Sequence, residues 1–251
     1  MQAAIQRFPM LTSLLLWAVV WEVVGRLGVV QLLPPLTEVL GALGEVVGTR
    51  TFAGAALETL QAFAIGMAIA VALGVPIGIL MGRSKVADEF LGLWVNLFLS
   101  APLTALVPVI MILFGFGQTT IVVTVVLFAI WIIVLDTRAG VRHVSPSLVE
   151  MARSFGATPA QLYGKILVLA ALPEILTGTR LGVIRGVKGV IIGQLLVSII
   201  GLGELFELYS RSFLLEEFWA LTLVLFAFAI LLAEGVAALE RRVAYFAGAR
   251  G

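Results

Sequence analysis

The residues of this chain that could do chemistry are few, and most stand in apolar surroundings. One hydrophobic stretch, residues 172–200, carries Arg180, Arg185, Lys188, Gln194 and Ser198. Ionisable groups inside a bilayer are costly, so each marks a function by default. With Gly178 at zero on a helical wheel, Arg180, Gln194 and Ser198 project at about 200°, 160° and 200°. They stand opposite a face of small residues, Gly178, Gly182, Gly186, Gly189 and Gly193. Together with Lys188, at about 280°, they form a candidate wall of a path for a polar solute. Arg185, on the glycine side, has a stem long enough to snorkel to an interface.

Other chemistries lack their parts. There is no cysteine, which removes disulfides, thiolate metal sites and a cysteine nucleophile. His143 is the single histidine and has no constellation of partners around it, so no catalytic residue and no metal ligand set is expected. No G-x-x-x-x-G-K-[ST] loop occurs, so ATP is not expected to bind this chain in that way. Sixteen Lys and Arg against fifteen Asp and Glu leave a net charge of +1, and nothing suggests nucleic acid as a partner. Glu22 beside Trp21 reads as an interfacial anchor, and Glu234 as a partner for Arg241.

The elements that must position these groups can be read from composition. Of 251 residues, 61% are hydrophobic and 12% charged, with a mean hydropathy of +1.13. Soluble domains hold nearer half apolar and a quarter charged residues, so lipid is the solvent that accommodates this chain. Six stretches approach the roughly 20 apolar residues of a bilayer-crossing helix, at about 10–30, 57–81, 90–114, 119–136, 172–200 and 218–239. The first comes after Arg7 and runs into Trp21-Glu22 without a small-residue cleavage site, which reads as a retained anchor. Lys and Arg cluster on the side of the connections at 83–85 and 137–165 and of both ends, so both termini are expected to be cytoplasmic. The expectation is an all-α polytopic membrane protein, a single domain over 1–251. In the second span Ala62, Gly66, Ala70, Gly74, Gly78 and Gly82 recur every four residues. With Gly182 and its neighbours in the fifth span, they predict close helix packing.

The longest internal connection, 137–171, is too polar to span. Ser145-Pro146 can start a helix and Gly156 can end it; Thr158-Pro159 can start another that runs to Leu169. Within it Glu150-Met151-Ala152-Arg153-Ser154-Phe155-Gly156, then nine residues to Ile166, resembles the EAA loop of binding-protein-dependent ABC importer permeases. Met151 replaces the first alanine of that pattern, and Val168-Leu169 replaces its Leu-Pro. Segments resembling the nitrate, sulfonate and taurine branch occur in order along the chain. Among them are Trp17 through Trp21-Glu22, Pro34-Pro35-Leu36-Thr37-Glu38, Gly74-Val75-Pro76-Ile77-Gly78, Phe114-Gly115-Phe116-Gly117, Thr177-Gly178-Thr179-Arg180 and Gly201-Leu202-Gly203.

The resemblance implies a type I importer permease fold and a transport subunit in a bacterial inner membrane. It implies that 137–171 docks on a separate ATPase dimer, which carries ATP and Mg, with Glu150, Ala152, Gly156 and Ile166 as coupling residues. A solute-binding protein would deliver substrate on the other side, and a second permease copy would complete the path. The cationic fifth span, with Gln194 where the branch commonly has an acid, suits a small anion such as a sulfonate, nitrate or a carboxylate. A secondary transporter or channel is the competing class. It would call for paired intramembrane acids or half-helices, where this chain offers cations and one polar line.

Overall fold

A computed structural model describes the backbone of residues 2–197 and 200–248, and the side chains of 12–197, 200–235, 237 and 238. Among the described residues the ordered elements are helical, and no strand occurs. In chain order they are α1 (Gln2–Arg26), α2 (Leu36–Val47), α3 (Arg50–Arg83), α4 (Lys85–Ser100), α5 (Val107–Phe114), α6 (Gln118–His143) and α7 (Pro146–Ser154). They continue with α8 (Pro159–Ala170), α9 (Leu172–Val197), α10 (Gly201–Arg211) and α11 (Leu215–Gly248).

Local chemistry sets several boundaries. Thr49 Oγ1 accepts from the Phe52 amide to start α3, and Ser84 Oγ accepts from the Ala87 amide to start α4. Thr158 and Gln161 form a reciprocal capping box on α8. The two short helices α2 and α10 begin at Pro35 and Ile200, residues with no side-chain acceptor of their own. Each takes a carboxylate from a longer helix instead. Glu22 of α1 accepts from the Thr37 amide at 3.0 Å, and Glu58 of α3 accepts from the Gly201 amide at 2.9 Å. A carboxylate at a helix N-terminus satisfies orphan amides and opposes the macrodipole. Glu22 also receives Arg26 at 2.6 Å, so its role is to join α1 to α2 rather than only to anchor at an interface. Trp21 and Trp219 donate to the carbonyls of Pro34 and Leu32, which clamps the intervening Pro-rich segment between α1 and α11.

The core is built around α6. Both small-residue stripes press onto it, α3 from one side and α9 from the other. Ile133 lies between them: a Cβ on Gly74 would meet its Cγ2 at 3.0 Å, and a Cβ on Gly182 would meet its Cδ1 at 2.8 Å. At Gly78 the approach to Thr137 Cβ is 2.6 Å, closer than any side chain allows. Lipid gives helices no hydrophobic reason to associate, so dispersion at such short range is what joins them.

By length and composition three of these helices, in α3, α6 and α11, are able to cross a membrane, or five if each bent pair counts as one span. The bent pairs are α4 with Leu103–Phe114, at 98°, and α8 with α9, at 67°. Six spans are expected from the sequence; the first of them, at about 10–30, falls on α1, which is not among these five and whose side chains are described only from Thr12 onward. The fourth expected span ends at 136, but α6 runs on to His143. Its extra turns are held by Asp88 of α4, whose carboxylate receives both Arg138 and Arg142. We refer to this end of the bundle as the basic end, and to the end carrying α2 and α10 as the distal end.

Candidate functional site: a basic-end hairpin and an open face of α9

After α6 the chain forms a hairpin of α7 and α8 with a small core of its own. Val149, Ala152, Leu162 and Leu167 are buried together, with Val144, Ala157 and Ile166 packed beside them. Gly156 makes the reversal possible. Its φ of +77° lies in the left-handed region, and the amide of Ala157 donates to the Ala152 carbonyl while that of Gly156 donates to Arg153. This is a Schellman stop, which favours glycine because a Cβ there is strained. Ser145 stands at the start of α7, but its hydroxyl receives Ser147 Oγ rather than a helix amide. Midway through α8, residues Leu162–Leu167 widen into a π turn that includes Ile166.

The coupling residues expected from the sequence therefore divide. Glu150 is exposed on α7. Ala152 is 6% exposed and Ile166 is partly buried, and both pack inside the hairpin, where Ala152 seats α7 on α8. Sequence reasoning missed Met151 and Phe155, which are 50% and 85% exposed. They are four residues apart, Met151 within α7 and Phe155 as the residue that caps its end, and so lie on the same side of it. The signal was available: Met151 and Phe155 stand on either side of Arg153, off the Val149 and Ala152 positions that are buried in the hairpin.

On α9 the candidate path residues also divide. Val183, Val187, Val190, Gln194 and Val197 form a buried file facing the bundle interior. Gln194 is 2% exposed, and its Nε2 donates to Thr59 Oγ1 at 2.9 Å. The helical wheel sets Gln194 opposite the glycines, as found, but that side is covered as well and is not an open wall. Thr59 in turn donates to the Ala55 carbonyl at 2.8 Å and accepts from the Leu202 amide at 3.1 Å. One donor and two acceptors satisfy the hydroxyl completely. Around this knot Gly203 is required, since a Cβ there would stand 2.6 Å from Gln194 Cβ. The face of α9 that remains open in the protomer holds Thr177, Leu181, Ile184, Lys188 and Leu195. Lys188 is its only charged member, while Arg180 and Arg185 are half-buried at its flanks. Ser198 lies outside the described residues, as does the side chain of Arg241, the expected partner of Glu234.

Two carboxylates within helices expected to span were missed by sequence reasoning. Glu58 caps α10. Asp136 lies against Gly178, where a Cβ would come within 2.8 Å of Asp136 Cβ, and one turn on Gly140 receives Glu174 in the same way. An acid four residues from a glycine in each of two facing helices was the signal. At the distal end, burial with the Glu217 carboxylate nearby holds the Tyr209 phenol above its usual range, so this hydroxyl stays neutral. No group of three or more His, Cys, Asp or Glu suited to a metal occurs among the described residues.

Comparison with known proteins gives this architecture a family. Residues 74–245 match the model of the binding-protein-dependent transport system inner membrane component. The chain is 30% identical over 231 residues to the taurine transport system permease protein TauC of Escherichia coli K12, covering 89% of this chain and 84% of the relative. It is 32% identical over 204 residues to the putative aliphatic sulfonates transport permease protein SsuC of Bacillus subtilis 168, covering 79% and 74%. Its fold is similar to a solved chain of the inward-facing MetNI methionine ABC transporter, with a TM-score of 0.65, 21% identity and coverage of 77% and 95%. The chain belongs to the binding-protein-dependent transport system inner membrane components and is a membrane-embedded ABC importer permease subunit, not itself an enzyme.

Proposed function

We propose that this subunit carries a small anion across a bacterial inner membrane and that its α7–α8 hairpin takes the driving motion from a separate ATPase dimer. The observation that carries the coupling role is the exposed face of Glu150, Met151 and Phe155 on a helix braced by its own core. An exposed aromatic and a thioether beside a carboxylate suit a groove on a soluble protein. The Gly156 stop and the Asp88 clamp on α6 make the hairpin a firm handle. ATP and Mg reside on the partner chain. A ligand shifts a two-state equilibrium only by its differential affinity, so closure of the ATPase must hold α7 differently in its two states.

Translocation is assigned to the open α9 face, with Lys188 as the group that meets the anion. A second copy of the chain covers the far side of the path, a solute-binding protein delivers substrate at the distal end, and both termini are cytoplasmic. The taurine transport named for one relative and the aliphatic sulfonate transport named for another support a sulfonate, with nitrate or a carboxylate in the same class. The coupling reading is tested by co-purification with the cognate ATPase. Glu150→Lys and Phe155→Ala are expected to lose the ATPase while the permease stays folded. Retention of the ATPase by both variants would sink the assignment.

A further inference from the structure

An apolar groove of ≈ 1010 Å³ runs between α2, α3 and α11, with Leu202 of α10 on its floor. α2 packs chiefly on α11 and stands off from α3, which leaves the space open. Leu43 and Gly44 form one wall, Ala56 and Leu57 the second, and Ala227 and Leu231 the third. Gly44 enlarges the groove, since a Cβ built there meets nothing within 4 Å. Thr59 is the one polar residue among those lining it, and its hydroxyl is already engaged by Ala55, Gln194 and Leu202. The groove therefore offers no hydrogen bond to water or to a polar solute, and apolar space of this kind stays dry. Left empty, its walls would lose their dispersion contacts, so an apolar chain is the occupant that fits.

The distal mouth of the groove decides which apolar chain. Arg50, Gly54 and Leu57 recur at i, i+4 and i+7 and so share one file of α3. Leu57 lines the groove, while Arg50 and Gly54 are exposed. A Cβ built on Gly54 meets nothing within 4 Å, so the file is open from the groove to Arg50. Arg26 and Arg211, also at the distal end, are engaged by Glu22 and Glu207. Arg50 makes no ion pair and no side-chain hydrogen bond among the described residues. From Arg50 to Leu60 α3 rises about 15 Å at 1.5 Å per residue, half of the roughly 30 Å hydrocarbon core of a bilayer. On α11, Trp219 stands one turn distal to Leu223, where the groove begins, and an indole at that level suits the membrane interface. An unpaired guanidinium at headgroup level, above an apolar groove one leaflet deep, is complementary in charge and depth to an anionic lipid.

We infer that this groove binds an anionic phospholipid of the leaflet at the distal end, with its phosphate on Arg50 and an acyl chain between α2, α3 and α11. The chain fills the gap between α2 and α3 and rests on Leu202, and so bears on the knot at Thr59 that holds the start of α10. The site uses neither the open face of α9 nor the α7–α8 hairpin, so it stands or falls apart from the transport reading.

Native mass spectrometry of the purified full chain in detergent, titrated with phosphatidylglycerol or with phosphatidylcholine of the same chains, tests the site. Phosphatidylglycerol is expected to bind about 5-fold more tightly, the order of one basic residue at a membrane surface. Arg50→Gln should bring the two lipids to within about 2-fold, because the discriminating cation is gone. Gly44→Phe puts a ring where the chain lies and should weaken both lipids by about 10-fold or more. Ala227→Leu, from the opposite wall, should weaken both in the same direction. Gly41→Phe is equally open at its Cβ but lies outside the groove, and should change neither. Glycerol 1-phosphate, a headgroup without chains, should not displace the lipid. Equal binding of the two lipids by the unaltered protein would overturn the site, as would unchanged phosphatidylglycerol binding in both Arg50→Gln and Gly44→Phe. Displacement by glycerol 1-phosphate would reduce it to a phosphate contact and overturn it. A dimer that Gly44→Phe converts to monomer with lipid binding unchanged would assign the groove to a second copy, and overturn it too.

Discussion

Thr59 and Gln194, 135 residues apart in the chain, share a hydrogen bond of 2.9 Å in the buried seam between α3 and α9. That bond and the Leu202 amide on the same hydroxyl bind the start of α10 to two long helices. A buried polar group left without its partner costs about 1–3 kcal/mol. Thr59→Val or Gln194→Leu alone should lower stability by about that amount. The double variant should lose less than the sum, with a coupling of about 0.5–3 kcal/mol. Thermal unfolding in detergent checks this; strict additivity would show that the two side chains do not act on each other.

Lys188 should behave differently, because among the described residues no ion pair or hydrogen bond holds its ammonium and its side chain is exposed. Lys188→Ala is expected to keep the unfolding temperature and reduce uptake of a sulfonate in the assembled transporter by about 10-fold or more, the order expected for a lost charge-assisted hydrogen bond. Lys188→Arg should retain most of it. Gln194→Ala should lower stability first and uptake only through it. Unchanged uptake in Lys188→Ala would remove this residue from the path.

Packing along α6 gives a third test. Gly78→Ala forces a Cβ to within 2.6 Å of Thr137 Cβ and 2.8 Å of the Val134 carbonyl, so α3 and α6 must part. Overpacking of this kind costs about 1–3 kcal/mol. Gly92 of α4, with nothing within 4 Å of a built Cβ, is the control, and Gly92→Ala should be neutral or stabilise by a few tenths up to about 1 kcal/mol. Equal effects at the two positions, measured by unfolding in detergent, would contradict the close crossing.

The hairpin reversal offers a fourth. Gly156→Val places a β-branched residue at a φ of +77°, at a cost of about 1–2 kcal/mol. Gly156→Asn should cost less, since its side chain tolerates the left-handed region. Hydrogen exchange should show faster opening of α7 in the valine variant than in the asparagine variant. The reverse order would show that the reversal is not what holds α7 on α8.

Much of this was legible in the residues themselves. The periods of small residues at 66–82 and 178–193 dictated which helix faces come close, since only glycine and alanine admit backbones to that range. Pro146, Gly156 and the Thr158-Pro159 start marked both hairpin helices, because caps and left-handed stops are local chemistry. The apolar lengths located most spans. The expected span closes at Asp136, where hydropathy stops, and α6 continues past it because Asp88, 54 residues from Arg142 in sequence, supports the polar turns beyond.

What the chain alone could not decide was which covered side each helix turns to which neighbour. A wheel places Gln194 away from the glycines, but it cannot know that Thr59 waits there to satisfy the amide, so a polar residue read as an open wall is a buried lock. That Ala152 packs within the hairpin became visible only with α8 folded beneath it. Glu58 and Glu22 gained their roles only when the starts of α10 and α2 were brought to them. Periodicity is a property of one helix, whereas burial and capping across helices belong to the packing of several, and that is decided in three dimensions.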